Sequence, residues 1–218
     1  MAEDLIVVGA GGFGRETLDV VEAINAASAE PMWQVRGVVD DSPTPDQQGL
    51  LRARNITWLG GLESLRGAVD GRAYVVGIGS PDSRARIADM IDGWGGRAVV
   101  LMHPTAVIGS RNLIGSGTVI CGGVQVSTNV RIGRHVHLNP GAIVGHDSQL
   151  EDFASINPGA IVSGNVLVGP RTLIGAGSTV LQGISIGAQA VIGASACVTK
   201  DVLAEATVIG VPAKAVIR

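Results

Sequence analysis

From Ile108 to Val198, every sixth residue is aliphatic: Ile108, Ile114, Ile120, Val126, and so on through Ile186, Ile192 and Val198. All sixteen positions obey the rule and none is aromatic. Glycine follows directly in eight cases, as at Gly109, Gly145 and Gly169. A period of six fits neither a 3.6-residue helix nor an isolated alternating strand; it is the signature of a parallel β-helix. Each hexad supplies one short strand and a corner, and three hexads close a triangular coil. The aliphatic side chains fill a narrow prism that a phenyl ring would not enter, in keeping with an aromatic content of only 3%. The eighteen-residue step is visible directly, since Asn139-Pro140-Gly141-Ala142-Ile143-Val144 recurs as Asn157-Pro158-Gly159-Ala160-Ile161-Val162. Stacked coils of this kind pair their backbones at roughly 4.8 Å. The period leaves the handedness of the coil open.

The first hundred residues follow a different pattern. Leu5-Ile6-Val7-Val8 reads as a buried strand ending in Gly9-Ala10-Gly11-Gly12-Phe13-Gly14. From Arg15 to about Ala27, Leu18, Val21 and Ile24 fall at helical spacing. A second strand, Val35 to Val39, runs into Asp40-Asp41, and Pro43 and Pro45 then predict a loop. A weak strand lies near Trp58, and Tyr74 to Gly79 reads as a third buried strand. Ser80-Pro81 opens a helix whose apolar face carries Ile87, Met90, Ile91 and Trp94. Strands alternating with helices imply a small parallel sheet. The expected organisation is a Rossmann-like α/β domain over residues 1–102, followed by a β-helix domain with a C-terminal tail over 103–218.

Sixteen basic against nineteen acidic side chains give a net charge of −3, which argues against a nucleic-acid partner. No stretch approaches the roughly 20 apolar residues of a membrane helix. Met1-Ala2-Glu3-Asp4 is unlike a secretory signal, and Cys121 and Cys197 form neither a disulfide framework nor a zinc pattern. A reducing, cytoplasmic setting without membrane insertion is expected.

His146 is the leading catalytic candidate. It lies two residues after Val144, at a corner where its side chain projects away from the prism. The eighteen-residue step gives it Ser110, Thr128, Gly164 and Gln182 as column neighbours. Imidazole suits proton abstraction near neutral pH, and Asp147 beside it can orient the ring and stabilise its charged form. The alternative is a solvated corner histidine next to an acid. His135 and His137 share one side of the local strand and read as surface or interface histidines; no metal site is expected. Asn139 and Asn157 lie one coil apart, so their amides can form a ladder. Gly9-x-Gly11-x-x-Gly14 offers backbone N–H groups at a helix N-terminus, where phosphates bind.

The glycine-rich α/β half, His103-Pro104-Thr105-Ala106, the hexapeptide coils, Gly145-His146-Asp147 and Gly210-Val211-Pro212-Ala213-Lys214 together resemble one family along essentially the whole chain. It comprises the sugar O- and N-acetyltransferases related to sialic-acid O-acetyltransferase and to the bacillosamine and perosamine N-acetyltransferases. The resemblance implies a left-handed coil and a homotrimer that takes acetyl-coenzyme A between neighbouring subunits. It also implies a nucleotide-linked sugar held by the α/β domain at Gly12, Phe13, Gly14, Asp40, Asp41 and Gly79. Catalysis would fall to His146 as general base, with Asp147 and Asn139 beside it and a backbone amide facing the oxyanion. Coenzyme A would meet Ser155, Ala176, Ala194 and Lys214. Two departures stand out: Phe13 replaces a frequent histidine of the glycine loop, and Ser155 replaces a histidine found in several relatives. Two other readings remain open at this point, an acetyltransferase for a non-sugar acceptor and a noncatalytic trimeric scaffold that senses nucleotide.

Overall fold

The computed structural model describes residues 1–216. These divide into two compact units, Met1–Pro104 and a second from Thr105 on.

The first unit is built on β1 (Glu3–Val8), β2 (Trp33–Val39), β3 (Ala73–Val76) and β4 (Arg97–Ala98), interleaved with α1 (Gly12–Ala27), α2 (Pro45–Ala53) and α3 (Pro81–Gly93). All four strands run parallel in the order β2-β1-β3-β4. The order reverses between β1 and β3, so a crevice opens beyond their C-terminal ends. Leu5, Val7, Val75 and Val76 are fully buried, and Leu18 and Val21 of α1 cover them. Helix α1 begins at Gly12, three residues earlier than the apolar spacing predicts, because the glycine loop itself enters the helix.

The segment after β2 departs from the predicted loop. Pro45 occupies the first turn of α2, where its missing N–H costs nothing. The Thr44 hydroxyl accepts from the Gln47 N–H, and the Gln47 side chain accepts from the Thr44 N–H, forming a capping box. The weak strand near Trp58 reduces to a single bridge, Val38 to Trp58, along the outer edge of β2. In α3 the buried positions are Arg84, Ala85, Ala88 and Ile91, while Ile87, Met90 and Trp94 are half-buried. The Arg84 guanidinium donates to Ile78 O (2.8 Å) and Gly79 O (3.2 Å), fixing the loop after β3. Burial pulls its pKa down to about 9, so it remains charged at neutral pH.

The second unit is a left-handed parallel β-helix with three flat faces. The first face stacks two-residue strands from Val107–Ile108 to Cys197–Val198, the second from Leu113–Ile114 to Ser185–Ile186. The third stacks Val119–Ile120, His137–Leu138, Ser155–Ile156, Leu173–Ile174 and Val191–Ile192. Each residue pairs with the one eighteen further on, as in Ile143↔Ile161, Arg131↔Gln149 and His137↔Ser155. The inward aliphatics from Ile120 to Val198 are buried; Ile108 and Ile114, at the first coil, are half-buried. The step shortens to sixteen at Val191↔Thr207, after which Lys214–Ala215 folds back antiparallel on Val208–Ile209.

Glycine after the inward aliphatic answers to a close approach between coils. A Cβ on Gly145 would lie 2.5 Å from the backbone of Ser163 and Gly164, and one on Gly169 would lie 2.7 Å from Ala188 N. Positive φ falls two residues later, at positions such as Asn129, Asp147 and Asn165. The aromatics admitted to the β-helix lie outside the prism. Phe153 stacks on His135 with ring centroids 5.4 Å apart, and the Arg134 guanidinium lies 4.8 Å from the Phe153 centroid. His135 and His137 are buried within the chain itself, where the sequence reading expected surface or interface histidines. The His135 ring covers Gly117, and the outward positions Val119, His137 and Ser155 of the third face are all shielded.

Candidate active site

His146 and Asp147 occupy the corner that joins the first face to the second. Neighbouring coils hold its main chain from both sides, since Asp147 N donates to Thr128 O (3.0 Å) and Asn165 N donates to His146 O (2.7 Å). Asp147 takes the left-handed conformation (φ 60°) that Asn and Asp tolerate better than most residues. The imidazole Nδ1 lies 2.8 Å from Asp147 Oδ2, and both side chains are more than half exposed. Asn129, one coil before Asp147, donates Nδ2 to Asp147 Oδ1 at 3.1 Å.

These contacts fix the chemistry of the ring. The hydrogen bond from His146, reinforced by that from Asn129, holds the Asp147 carboxyl below the usual carboxylate range. An ionised carboxylate only accepts, so Nδ1 donates to it, and the neutral ring keeps its lone pair on Nε2. The edge therefore presents a proton acceptor with a set tautomer.

The other candidates lie elsewhere on the prism. Asn139, Ala176 and Ala194 sit on the corner that joins the third face to the first. Asn139 Nδ2 donates to Ile156 O (3.1 Å) and Asn157 Oδ1 (3.3 Å), completing the amide ladder, and is engaged there rather than with His146. Ala176 and Ala194 are exposed and stacked, with Ser195 N donating to Ala176 O. Ser155 is buried on the third face, and Lys214 is exposed in the closing hairpin. A single chain thus places the His146–Asp147 pair and the small-residue edge on different corners. Among the described residues, no group of three or more His, Cys, Asp or Glu side chains is arranged to hold a metal ion. Cys121 and Cys197 are not joined in a disulfide, and no helix among the described residues is long and apolar enough to cross a membrane.

In the α/β unit, the C-terminal ends of the strands form a cleft lined by Val8, Val39, Asp40, Asp41, Ile78 and Ile87. The glycines divide the work. Gly9 makes the tight turn (φ 109°), and Gly14 lets α1 approach it so closely that a Cβ would lie 1.8 Å from Gly9 O. Gly11, Gly12 and Gly79 have open space where a side chain would begin, and Phe13 is half-buried behind them. Helix α1 starts here without a side-chain cap, leaving its first N–H groups directed at this space. Asp40 accepts from Ala10 N (2.8 Å) and Ser42 N (3.0 Å), and Asp41 from Leu62 N (2.6 Å), so both carboxylates shape the loops of the cleft.

The sequence reading singled out neither Asn129 nor Arg84. The eighteen-residue step back from Asp147 points to Asn129, whereas nothing local marks Arg84 as buried.

An α/β unit with a phosphate-type glycine loop, joined to a left-handed hexapeptide β-helix with a histidine–carboxylate pair on its edge, defines the class of two-unit hexapeptide-repeat proteins. Within that class the chain is similar to sugar acetyltransferases. Residues 4–91 match the PglD N-terminal domain family. GDP-perosamine N-acetyltransferase of Escherichia coli O157:H7 is 32% identical over 153 residues, 68% of this chain. The match spans 65% of that relative's own length. Among solved structures, a variant of perosamine N-acetyltransferase from Caulobacter crescentus, in complex with CoA and GDP-perosamine, superposes with a TM-score of 0.87 at 27% identity, covering 100% of this chain and 99% of that one. The acetyltransferase domain of PglB from Neisseria gonorrhoeae, in complex with acetyl coenzyme A, gives 0.87 at 26% identity, covering 99% and 100%.

Proposed function

We propose that the protein is an acetyl-coenzyme A-dependent acetyltransferase that acylates the amino group of a nucleotide-linked sugar. The observation that carries the reading is the 2.8 Å Nδ1–Asp147 contact, which leaves Nε2 of His146 as an acceptor on an open edge. The relatives with CoA and GDP-perosamine bound, similar over their whole length, supply the substrate classes. The acceptor nitrogen attacks the thioester carbonyl, forming a C–N bond as the C–S bond breaks. Nε2 takes the proton that the nitrogen sheds, and the resulting imidazolium returns it to the departing thiolate.

Asp147 and Asn129 would hold the ring, the glycine loop and the N-terminus of α1 would take the diphosphate, and Ala176 and Ala194 would leave room for the pantetheine arm. Because the two edges lie on different corners, the site would be completed by a second copy in a homotrimer, each subunit lending its Ala176 edge to a neighbour's His146. The test is a panel of nucleotide amino sugars incubated with acetyl-coenzyme A, read by free thiol and product mass. Thiol release tied to one sugar with a 42 Da gain, about one acetyl group, supports the reading. Release with no sugar dependence would overturn it.

A further inference from the structure

Gly164 lies one coil beyond His146 on the same edge, and it differs from the β-helix glycines that meet the backbone of the next coil; Gly117, under the His135 ring, shares the imidazole contact but has the positive φ (73°) that favours glycine on its own account. A Cβ built on Gly164 would lie 2.6 Å from Nε2, 2.7 Å from Cε1 and 3.1 Å from Cδ2 of His146. All three nearest atoms belong to the imidazole. At Gly145, by contrast, the nearest atoms are backbone of the adjoining coil. Gly164 also lacks the positive φ that would demand glycine for conformational reasons. What a side chain at this position would meet first is therefore the imidazole, not the backbone of the next coil.

The exposed ring can yield only by giving up its contact with Asp147. His146 O is held by Asn165 N at 2.7 Å, so the main chain is pinned. Rotation about the side-chain bonds would draw Nδ1 away from Asp147 Oδ2, and Asn129 keeps that carboxylate in place. The atom a methyl group would strike first is Nε2, the nitrogen that the Asp147 contact frees for chemistry.

We propose that Gly164 is a positioning residue: its missing side chain forms the seat on which the His146 imidazole lies, and so sets the direction of Nε2. This rests on the reading of His146 as the proton acceptor. Gly164→Ala is expected to lower kcat by about 100-fold, the scale of a base displaced by an ångström, with KM for both substrates unchanged. The His146 ring resonances, assigned by their absence in His146→Ala, should change position in the same variant at fixed pH, because a ring swung off Asp147 loses its carboxylate neighbour.

Adding Gly164→Ala to His146→Ala should cost nothing further, and any loss of thermal stability in Gly164→Ala should be recovered in the double variant. Unaltered kcat and ring resonances in Gly164→Ala would overturn the proposal. So would a raised KM, a rate loss that persists without His146, or misfolding that the double variant does not relieve. If His146→Ala alone leaves turnover intact, the base reading fails, while the ring resonances still report whether Gly164 seats the imidazole.

Discussion

Asn129 lies one coil before Asp147 and donates its side-chain amide to the carboxylate at 3.1 Å, so the orienting acid is itself oriented. Asn129 also has a left-handed backbone (φ 60°), which glycine accepts without strain. Asn129→Gly therefore removes the amide and leaves the coil intact. The loss of one hydrogen bond, about 1 kcal/mol, should lower kcat by about five-fold with KM unchanged. Steady-state kinetics and a thermal melt check both halves of this expectation, and a melt lowered by more than the kinetics would contradict it.

The lowered pKa of Asp147 fixes the sign of a second prediction. The carboxyl is depressed by the bonds from His146 and Asn129, so its stabilising effect is present above the ordinary carboxylate range and is lost as pH falls through the lowered value. Both side chains are largely exposed, so the consequence should appear in the rate far more than in the melt. Asp147→Asn keeps the shape and removes the charge. Its expected effect is a fall in kcat of about 10- to 100-fold, the scale of a charge-assisted hydrogen bond. An unchanged kcat would show that Asp147 does not act on the ring.

The β-helix was legible because its period is written at every coil and its register is the same eighteen-residue step that pairs Ile143 with Ile161. The α/β unit was legible in β1, β2, β3, α1 and α3; the two-residue β4 (Arg97–Ala98) is too short to show a period of its own. Helix α2 was not, because Pro45 reads as a breaker until Thr44 and Gln47 are seen to cap the turn it opens. At the site, adjacency in sequence exposed His146 and Asp147, whereas Asn129 and Gly164 become neighbours only through the coil. The burial of His135 and His137 was hidden for a different reason. Outward positions of a coil are exposed by default, and periodicity carries no information about what shields a particular face.

The prism itself can be tested at Ile156, which is fully buried and pairs with Leu138 and Ile174 in the adjoining coils. Ile156→Ala opens a cavity that strand pairing prevents from collapsing, and should cost about 2–5 kcal/mol. Denaturant unfolding of the variant measures this. A change under about 1 kcal/mol would mean the stack relaxes far more readily than its register implies.

The last prediction follows from the two corners. His146 and Ala176 occupy different edges of one chain, so a site that uses both must draw them from two copies. His146→Ala removes the imidazole proposed as proton acceptor, and Ala176→Trp fills the exposed small-residue edge with an indole. Each variant alone should be inactive. Co-expressed with different tags and purified through both, they should form mixed assemblies in which some interfaces pair an intact His146 edge with an intact Ala176 edge, and acetyl transfer should return at those interfaces. A site contained within one chain would leave every subunit carrying a defect, and the mixed assemblies would be as inactive as their parents. Equal activity in Ala176→Trp alone would remove that edge from the coenzyme A path altogether.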